Sequence, residues 1–220
     1  MTKLAIFDCD GTLVDSGGSI HRALRSTFES HGLECPPRAV TKKVIGLSLD
    51  EAFAVLVPDG DHPALSRTYR HAFITMRGQG EVEEPLFDGI VAALDDFRSR
   101  GWSLGVATGK SLRGLRHCLA AHGIADRFAT LQTADNHPSK PHPSMVLAAI
   151  AEAGGNAPKT VFIGDTAWDM GAARGAACGA IGAGWGYHDE SELREAGAHE
   201  VARETAELVE LSERWIGVDR

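Results

Sequence analysis

The sequence predicts an α/β fold, a parallel sheet with helices on both faces that carries an inserted all-helical unit. Three observations predict it. Short apolar runs of strand character alternate with longer stretches of helical period. Residues that follow such runs, Asp8, Thr108 and Asp165, are polar. The alternation stops between Asp15 and about Pro85, where apolar residues fall only at helical spacing. Alternating strands and helices bury a parallel sheet between two helical layers, and ligands bind outside the carboxyl ends of its strands.

Taken in order, Leu4-Ala5-Ile6-Phe7 is the first strand. In the insertion, Ile20, Leu24 and Phe28 share one helix face with Gly32 as a stop; Leu49, Phe53 and Leu56 mark a second helix ended by Pro58; a third runs through Leu65, Tyr69 and Phe73. Helices that leave directly after the first strand sit above its carboxyl end and form a natural lid. A separate helical domain with no part in the chemistry is the plainer alternative. The core then resumes with helices over Gly89 to Arg100, Leu112 to His122, Pro143 to Ala153 and Trp168 to Ala176. Between and after them lie strands over Trp102 to Ala107, Phe128 to Gln132, Thr160 to Ile163 and Cys178 to Gly182. The expected division is a core of residues 1–14 and 86–220 and a cap of residues 15–85.

Composition narrows the function. No apolar run approaches the ~20 residues needed to span a bilayer, so no membrane partner is expected. The formal charge of −8 repels a phosphate backbone, which makes nucleic acid a poor partner. The apolar segment after Met1-Thr2-Lys3 is too short for a signal peptide, and the expected location is cytoplasmic. Cys9, Cys35, Cys118 and Cys178 show no CxxC spacing, so they read as reduced thiols rather than a zinc site or disulfide framework. The ten histidines show no HExxH pairing and read as surface or packing residues.

Asp8 and Asp10 lie two apart at the end of the first strand, so both carboxylates can face one cleft before Gly11 allows a sharp turn. Two close carboxylates cannot both ionise freely without a cation, and Mg²⁺, a hard ion that prefers oxygen, relieves the repulsion. Asp165 in Gly164-Asp165-Thr166-Ala167-Trp168-Asp169 is the third oxygen donor, with Asp169 placed to orient it or the waters. Thr108, beside Gly109 and a helix start, offers a hydroxyl, and Lys140 in Ser139-Lys140-Pro141-His142-Pro143 offers an ammonium. Together they describe a site for a phosphoryl group, whose charge must be held while nucleophile and leaving group lie in line. Asp8 then attacks phosphorus to give an aspartyl phosphate, and Asp10 acts first as acid and then as base. That division requires Asp10 to hold a proton in the free protein.

Each element alone has a plainer reading: Asp8 and Asp10 as turn residues, Thr108 or Ser111 as a helix cap, Lys140 as a surface charge, and Asp165 to Asp169 as the cap of the following helix. What the plainer readings leave unexplained is their order, each at or beside a carboxyl strand end.

These residues resemble the haloacid dehalogenase-like superfamily, specifically its phosphoglycolate phosphatase-like branch, over nearly the whole chain. The first family motif, DxDGT, is Asp8-Cys9-Asp10-Gly11-Thr12; the second is matched by Thr108, the third by Lys140 in KPxP, and the fourth, GDxxxD, by Gly164-Asp165 through Asp169. The resemblance implies Asp8 as nucleophile, Asp10 as acid/base, and Asp8, the Asp10 backbone carbonyl and Asp165 as magnesium ligands. It also implies a Rossmann-like core with a helical cap, and a small phosphorylated metabolite acted on by a monomer or homodimer. Ala173 to Gly179 and Gly184-Trp185-Gly186-Tyr187 resemble the branch's last core strand and glycine-rich loop. The chain departs from the branch at Gly109, where Asn is common, which bears on substrate rather than mechanism. Lys42, Lys43, Arg67 and Arg70 are cap cations that either meet an anionic leaving group or form a solvated face, and Gly46 falls where cap loops approach the site.

Four other readings compete. A dehalogenase proper attacks carbon and needs neither Asp10 nor Asp165; a phosphomutase shares the motifs but returns the phosphoryl group to a sugar. A signalling receiver domain is about half this length and lacks the insertion. A non-catalytic phospholigand-binding relative would not need the full set.

Overall fold

A computed structural model describes residues 2–217. Six strands form one parallel sheet in the order β3-β2-β1-β4-β5-β6, with β1 at Thr2–Phe7, β2 at Trp102–Thr108, β3 at Thr130–Thr133, β4 at Gly155–Gly164, β5 at Gly179–Ala183 and β6 at Glu200–Ala202. β1 is central: Phe7 stands opposite Val106 of β2 on one side and Ile163 of β4 on the other. The strand order reverses between β1 and β4, which opens a crevice at the carboxyl ends of those two strands.

Successive strand residues point to opposite faces, and β1 shows the consequence directly. Ala5 and Phe7 enter one apolar cluster, while Leu4 and Ile6 enter another. The insertion contributes α1 (Gly17–Ser30), α2 (Arg38–Lys42), α3 (Leu49–Leu56) and α4 (His62–Gly78); the core adds α5 (Ile90–Ser99), α6 (Leu112–Ala121), α7 (Ser144–Glu152), α8 (Ala167–Gly175), α9 (Glu190–Glu195) and α10 (Leu208–Ile216). α5, α6 and α10 cover the Phe7 face; α7 and α8 cover the Ile6 face.

The insertion has a cluster of its own, built from Ala23, Leu24, Phe28, Phe53, Leu65, Tyr69 and Met76. α1 ends at Ser30 just before Gly32, whose φ of +67° suits a residue without a side chain, and α3 ends at Leu56 before Pro58. The chain enters and leaves the insertion at neighbouring points: Val14 bridges Leu86, Asp15 N donates to Pro85 O at 2.8 Å and Phe87 N donates to Leu13 O at 3.0 Å.

The expected strands and helices all occur, with ends shifted by a few residues. β4 is the exception, beginning at Gly155 because Thr2 pairs there before a register shift. α2, α9, α10 and β6 lie outside the expected elements. β6 has three residues and α2 five, too few to show a period. α10 was legible: Leu208, Leu211, Ser212 and Trp215 are buried at helical spacing.

Phe97 is fully buried, edge-on to Phe7 at 5.7 Å and to Trp102 at 5.3 Å. Phe97→Ala is expected to cost about 3–5 kcal/mol of stability in a denaturant titration. Val55→Ala, at a site 59% exposed, stays within about 0.5 kcal/mol.

Candidate active site

Where β1 ends, Asp8 N donates to Ile163 O at 2.9 Å, which fixes Asp8 beside the end of β4 with no solvent exposure. The chain then turns tightly: Leu13 N and Val14 N both donate to Cys9 O, at 2.9 and 3.1 Å, and Gly11 takes φ +86°. This turn and the loop after β5 close on Asp165 from two sides. Thr12 Oγ1 donates to Asp165 Oδ1 at 2.8 Å and Tyr187 N donates to Oδ2 at 2.9 Å. A Cβ on Gly11 would lie 2.2 Å from Asp165 Oδ2, and one on Gly186 would lie 2.2 Å from Asp165 Cβ. Two glycines therefore let backbone lie against one carboxylate, and the glycine-rich stretch 184–187 supplies one of them. Trp185 Nε1 donates to Thr12 O at 3.1 Å and fastens the two loops together.

Lys140, fully buried, lies 2.6 Å from Asp169 Oδ1, to which it donates, and 2.9 Å from Asp8 Oδ2 without hydrogen-bond alignment. Asp169 also accepts from Thr166 N at 3.0 Å and Thr166 Oγ1 at 2.6 Å, a capping box on α8. Asp169 thus caps a helix and holds Lys140 at once, so the capping reading and the site reading coexist. Asp165 takes no part in the cap.

Asp8, Asp165 and Asp169 present oxygens within 4.8 Å of one another, all buried. Burial pushes the Asp8 carboxyl up to about 7; Lys140 pulls it back, and Asp169 and Asp10 push the same way as burial. Burial likewise raises Asp165, helped by Asp169 and Asp8. Burial disfavours the charge on Lys140, but Asp169 and Asp8 outweigh this and hold the ammonium above its ordinary range. Three carboxylates around one ammonium leave an excess of negative charge in a dry crevice. An all-oxygen donor set of this kind fits a hard divalent cation such as Mg²⁺. The carboxylate of Asp10 stands outside the group of three, so among the expected ligands it leaves the main-chain carbonyl of Asp10 for that purpose.

Asp10 instead accepts on Oδ1 from Ser16 Oγ at 2.5 Å and pairs there with Lys110 Nζ at 2.8 Å. Lys110 also pairs with Glu84 at 2.9 Å, and Glu84 with Arg77 at 2.8 Å. The motif pattern gives no role to Lys110, Glu84, Ser16 or Tyr187. Lys110 lies two positions after Thr108, within the second motif. Thr108 is buried at the end of β2, and its Oγ1 accepts from Lys110 N at 3.3 Å.

Gly109 touches the insertion. A Cβ there would lie 2.5 Å from Leu47 O and 2.7 Å from Gly46 O, so the loop before α3 occupies the place a side chain would take. Further links hold this loop down. Ser48 N donates to Ser139 Oγ at 2.8 Å, Trp168 Nε1 donates to Lys43 O at 3.3 Å, and Lys43 pairs with Glu192 at 2.5 Å. Of the insertion's cations, Lys42 lies over the Tyr187 ring at 5.4 Å, Arg67 is exposed, and Arg70 lines a cavity of about 620 Å³ between the insertion and the start of α6. That cavity reaches Asp10, Gly109 and Lys110.

A parallel sheet with buried aspartates at its switch point, covered by helices inserted after the first strand, defines a Rossmann-like α/β protein with an acidic site. The chain belongs to the haloacid dehalogenase-like hydrolase family, whose profile matches residues 5–183. It is 34% identical over 217 residues to the probable phosphatase IndB of Dickeya dadantii, covering 95% of this chain and 93% of that protein. It is 29% identical over 194 residues to a phosphoglycolate phosphatase of Agrobacterium fabrum, covering 86% and 83%. A solved hydrolase of Pseudomonas syringae superposes with a TM-score of 0.84 at 25% identity, over 97% of this chain and 99% of that one.

Gly109→Val is expected to lift the loop at 46–48 away from the core. In residue-resolved hydrogen exchange the Ser48 amide, now bonded to Ser139, should exchange at least about tenfold faster, while amides of β1 keep their protection.

Proposed function

We propose that this chain is a Mg²⁺-dependent phosphatase that hydrolyses a small phosphate monoester, phosphoglycolate-like or a related metabolite, through an aspartyl phosphate on Asp8. The observation that carries the reading is the buried group of Asp8, Asp165 and Asp169 around Lys140, with Asp10 set apart on its own partners beside a cavity. The phosphatase names of its relatives support it.

Asp8 and Asp165, with the Asp10 carbonyl, would hold the Mg²⁺, which supplies positive charge against the phosphoryl oxygens and the nucleophile. Lys140 holds Asp8 in place and offers a cation to the same oxygens, and the Thr108 hydroxyl and Gly109 main chain receive the phosphoryl group from the side of β2. An Asp8 carboxylate oxygen forms a bond to phosphorus while the bond from phosphorus to the alcohol oxygen breaks. Asp10 gives that oxygen its proton. Both partners of Asp10 sit on Oδ1, so Oδ2 is the atom presented to the leaving group. Asp10 then takes a proton from water as it attacks the aspartyl phosphate, which releases inorganic phosphate and returns Asp8. Residues 1–14 and 86–220 act as the core and residues 15–85 as its cap. The four free cysteines fit a cytoplasmic setting.

With Mg²⁺ and a panel of small phosphorylated metabolites, Asp8→Asn is expected to lose at least about 10³-fold in kcat, and Asp10→Asn about 10²–10⁴-fold. Full activity in Asp8→Asn would end this reading. A second outcome needs no turnover. Because the Asp8 carboxyl is raised to about 7, protons compete with the cation below that pH. The rise in Tm on adding Mg²⁺ should therefore be larger at pH 8 than at pH 5, and smaller in Asp165→Asn at both.

A further inference from the structure

The cavity beside Asp10 is large for the ester of a two-carbon acid. Its 620 Å³ would take on the order of twenty waters at ~30 Å³ each, and it sits in the size range of sites for ring-bearing ligands. Its walls come from both sides. α1, α3, α4 and the loop before α3 contribute Leu24, Ile45, Leu49, Phe53, Tyr69 and Phe73, and the opposite wall is the segment from Gly109 to Gly114. Most of the insertion side chains are buried from solvent, yet they border a void. The cations on it are distributed differently: Arg70 and Arg113 are exposed, while Lys110 pairs with Asp10 and Glu84 and Arg77 with Glu84.

Two details mark the void as a place for a ligand. Tyr69 is 9% exposed and lines it, with its ring 6.3 Å from that of Phe53 and 5.9 Å from that of Phe73, so three aromatic rings gather on one wall. Ile74 is 48% exposed although it is a large apolar side chain, and it too borders the void. An apolar wall of this extent gains nothing from water or from a small anionic carboxylate, and a carboxylate there would leave its hydration behind. The Gly109 contact belongs to the same design. The loop that bears Ile45 rests on Gly109, so the missing side chain at 109 lets the apolar wall come down beside Asp10.

We propose that this cavity receives the alcohol part of the phosphate ester, and that this alcohol is a bulky, predominantly apolar ring system rather than a two-carbon hydroxy acid. The assignment rests on the phosphatase reading and fixes its substrate class. The phosphoryl group lies against Asp8, Thr108 and Lys140, the bridging oxygen faces Asp10, and the rings fill the space between Phe53, Phe73 and Ile74.

The test compares 1-naphthyl phosphate with 2-phosphoglycolate on the full chain with Mg²⁺, and measures binding of both to Asp8→Asn by calorimetry. The naphthyl ester should show at least about tenfold higher kcat/KM and at least about tenfold tighter binding. Ile74→Ala and Leu49→Ala should lower the ratio of the two kcat/KM values several-fold, chiefly through KM for the naphthyl ester. A ratio at or below one in both turnover and binding overturns the assignment and leaves the phosphatase reading standing. Tighter naphthyl binding without turnover of any monoester sustains the cavity's ligand class and overturns the phosphatase reading instead.

Discussion

Burying three carboxylates within reach of one another is electrostatically unfavourable, and much of this molecule is arranged to make that burial tolerable. Asp8 and Asp165 issue from the carboxyl ends of two neighbouring strands, where main-chain pairing of β1 with β4 fixes their origins, and Asp169 comes from the first turn of α8 that follows β4. Lys140 brings the only side-chain cation that touches the group among the described residues. Asp165 is held by Thr12, Tyr187 N and the two glycine-backed loops, while Asp169 is held by Thr166. Even with these partners, burial and the neighbouring carboxylates raise Asp8 and Asp165 above the usual carboxylate range. The same frustration is what a hard divalent cation would relieve.

Asp10 belongs to a separate circuit. Its partners run from Lys110 to Glu84 and Arg77, and so from the core into the end of α4. Two neighbouring aspartates of one motif thereby answer to different surroundings, one to the strands and one to the insertion. The loop from Lys43 to Ser48 adds the second connection, through Trp168, Glu192, Ser139 and the bare backbone at Gly109. The position of the insertion is therefore registered at both Asp10 and Gly109.

How much of this the sequence disclosed depends on the range of the interaction. Elements with a clear period, such as β1, α1 and α8, are legible because burial imposes the pattern locally. α2 and β6 are too short for any period, whereas α10 carries one in Leu208, Leu211, Ser212 and Trp215. Of the residues the motifs single out, Asp8, Lys140, Asp165 and Asp169 lie together, and Thr108 ends β2 on the neighbouring strand. Glu84 carries no local mark, and although Lys110 and Tyr187 fall within the second motif and the glycine-rich loop, their partners are remote: Glu84 stands 26 positions before Lys110, and Asp165 22 positions before Tyr187. Gly109 was visible as a departure, but its reason lies in the carbonyls of Gly46 and Leu47, contacts which no single-sequence pattern contains.

The side-by-side passages at Val14 and Leu86 have a consequence for assembly. Joining the ends of a long flexible loop costs entropy that grows with the logarithm of its length. Once α1, α3 and α4 have closed around Phe53, the insertion's ends already lie together, hydrogen-bonded through Asp15 and Pro85. To the sheet, the segment from 15 to 85 then behaves as a short link, and the pairing of β1 with β2 is no more remote than in a chain without it.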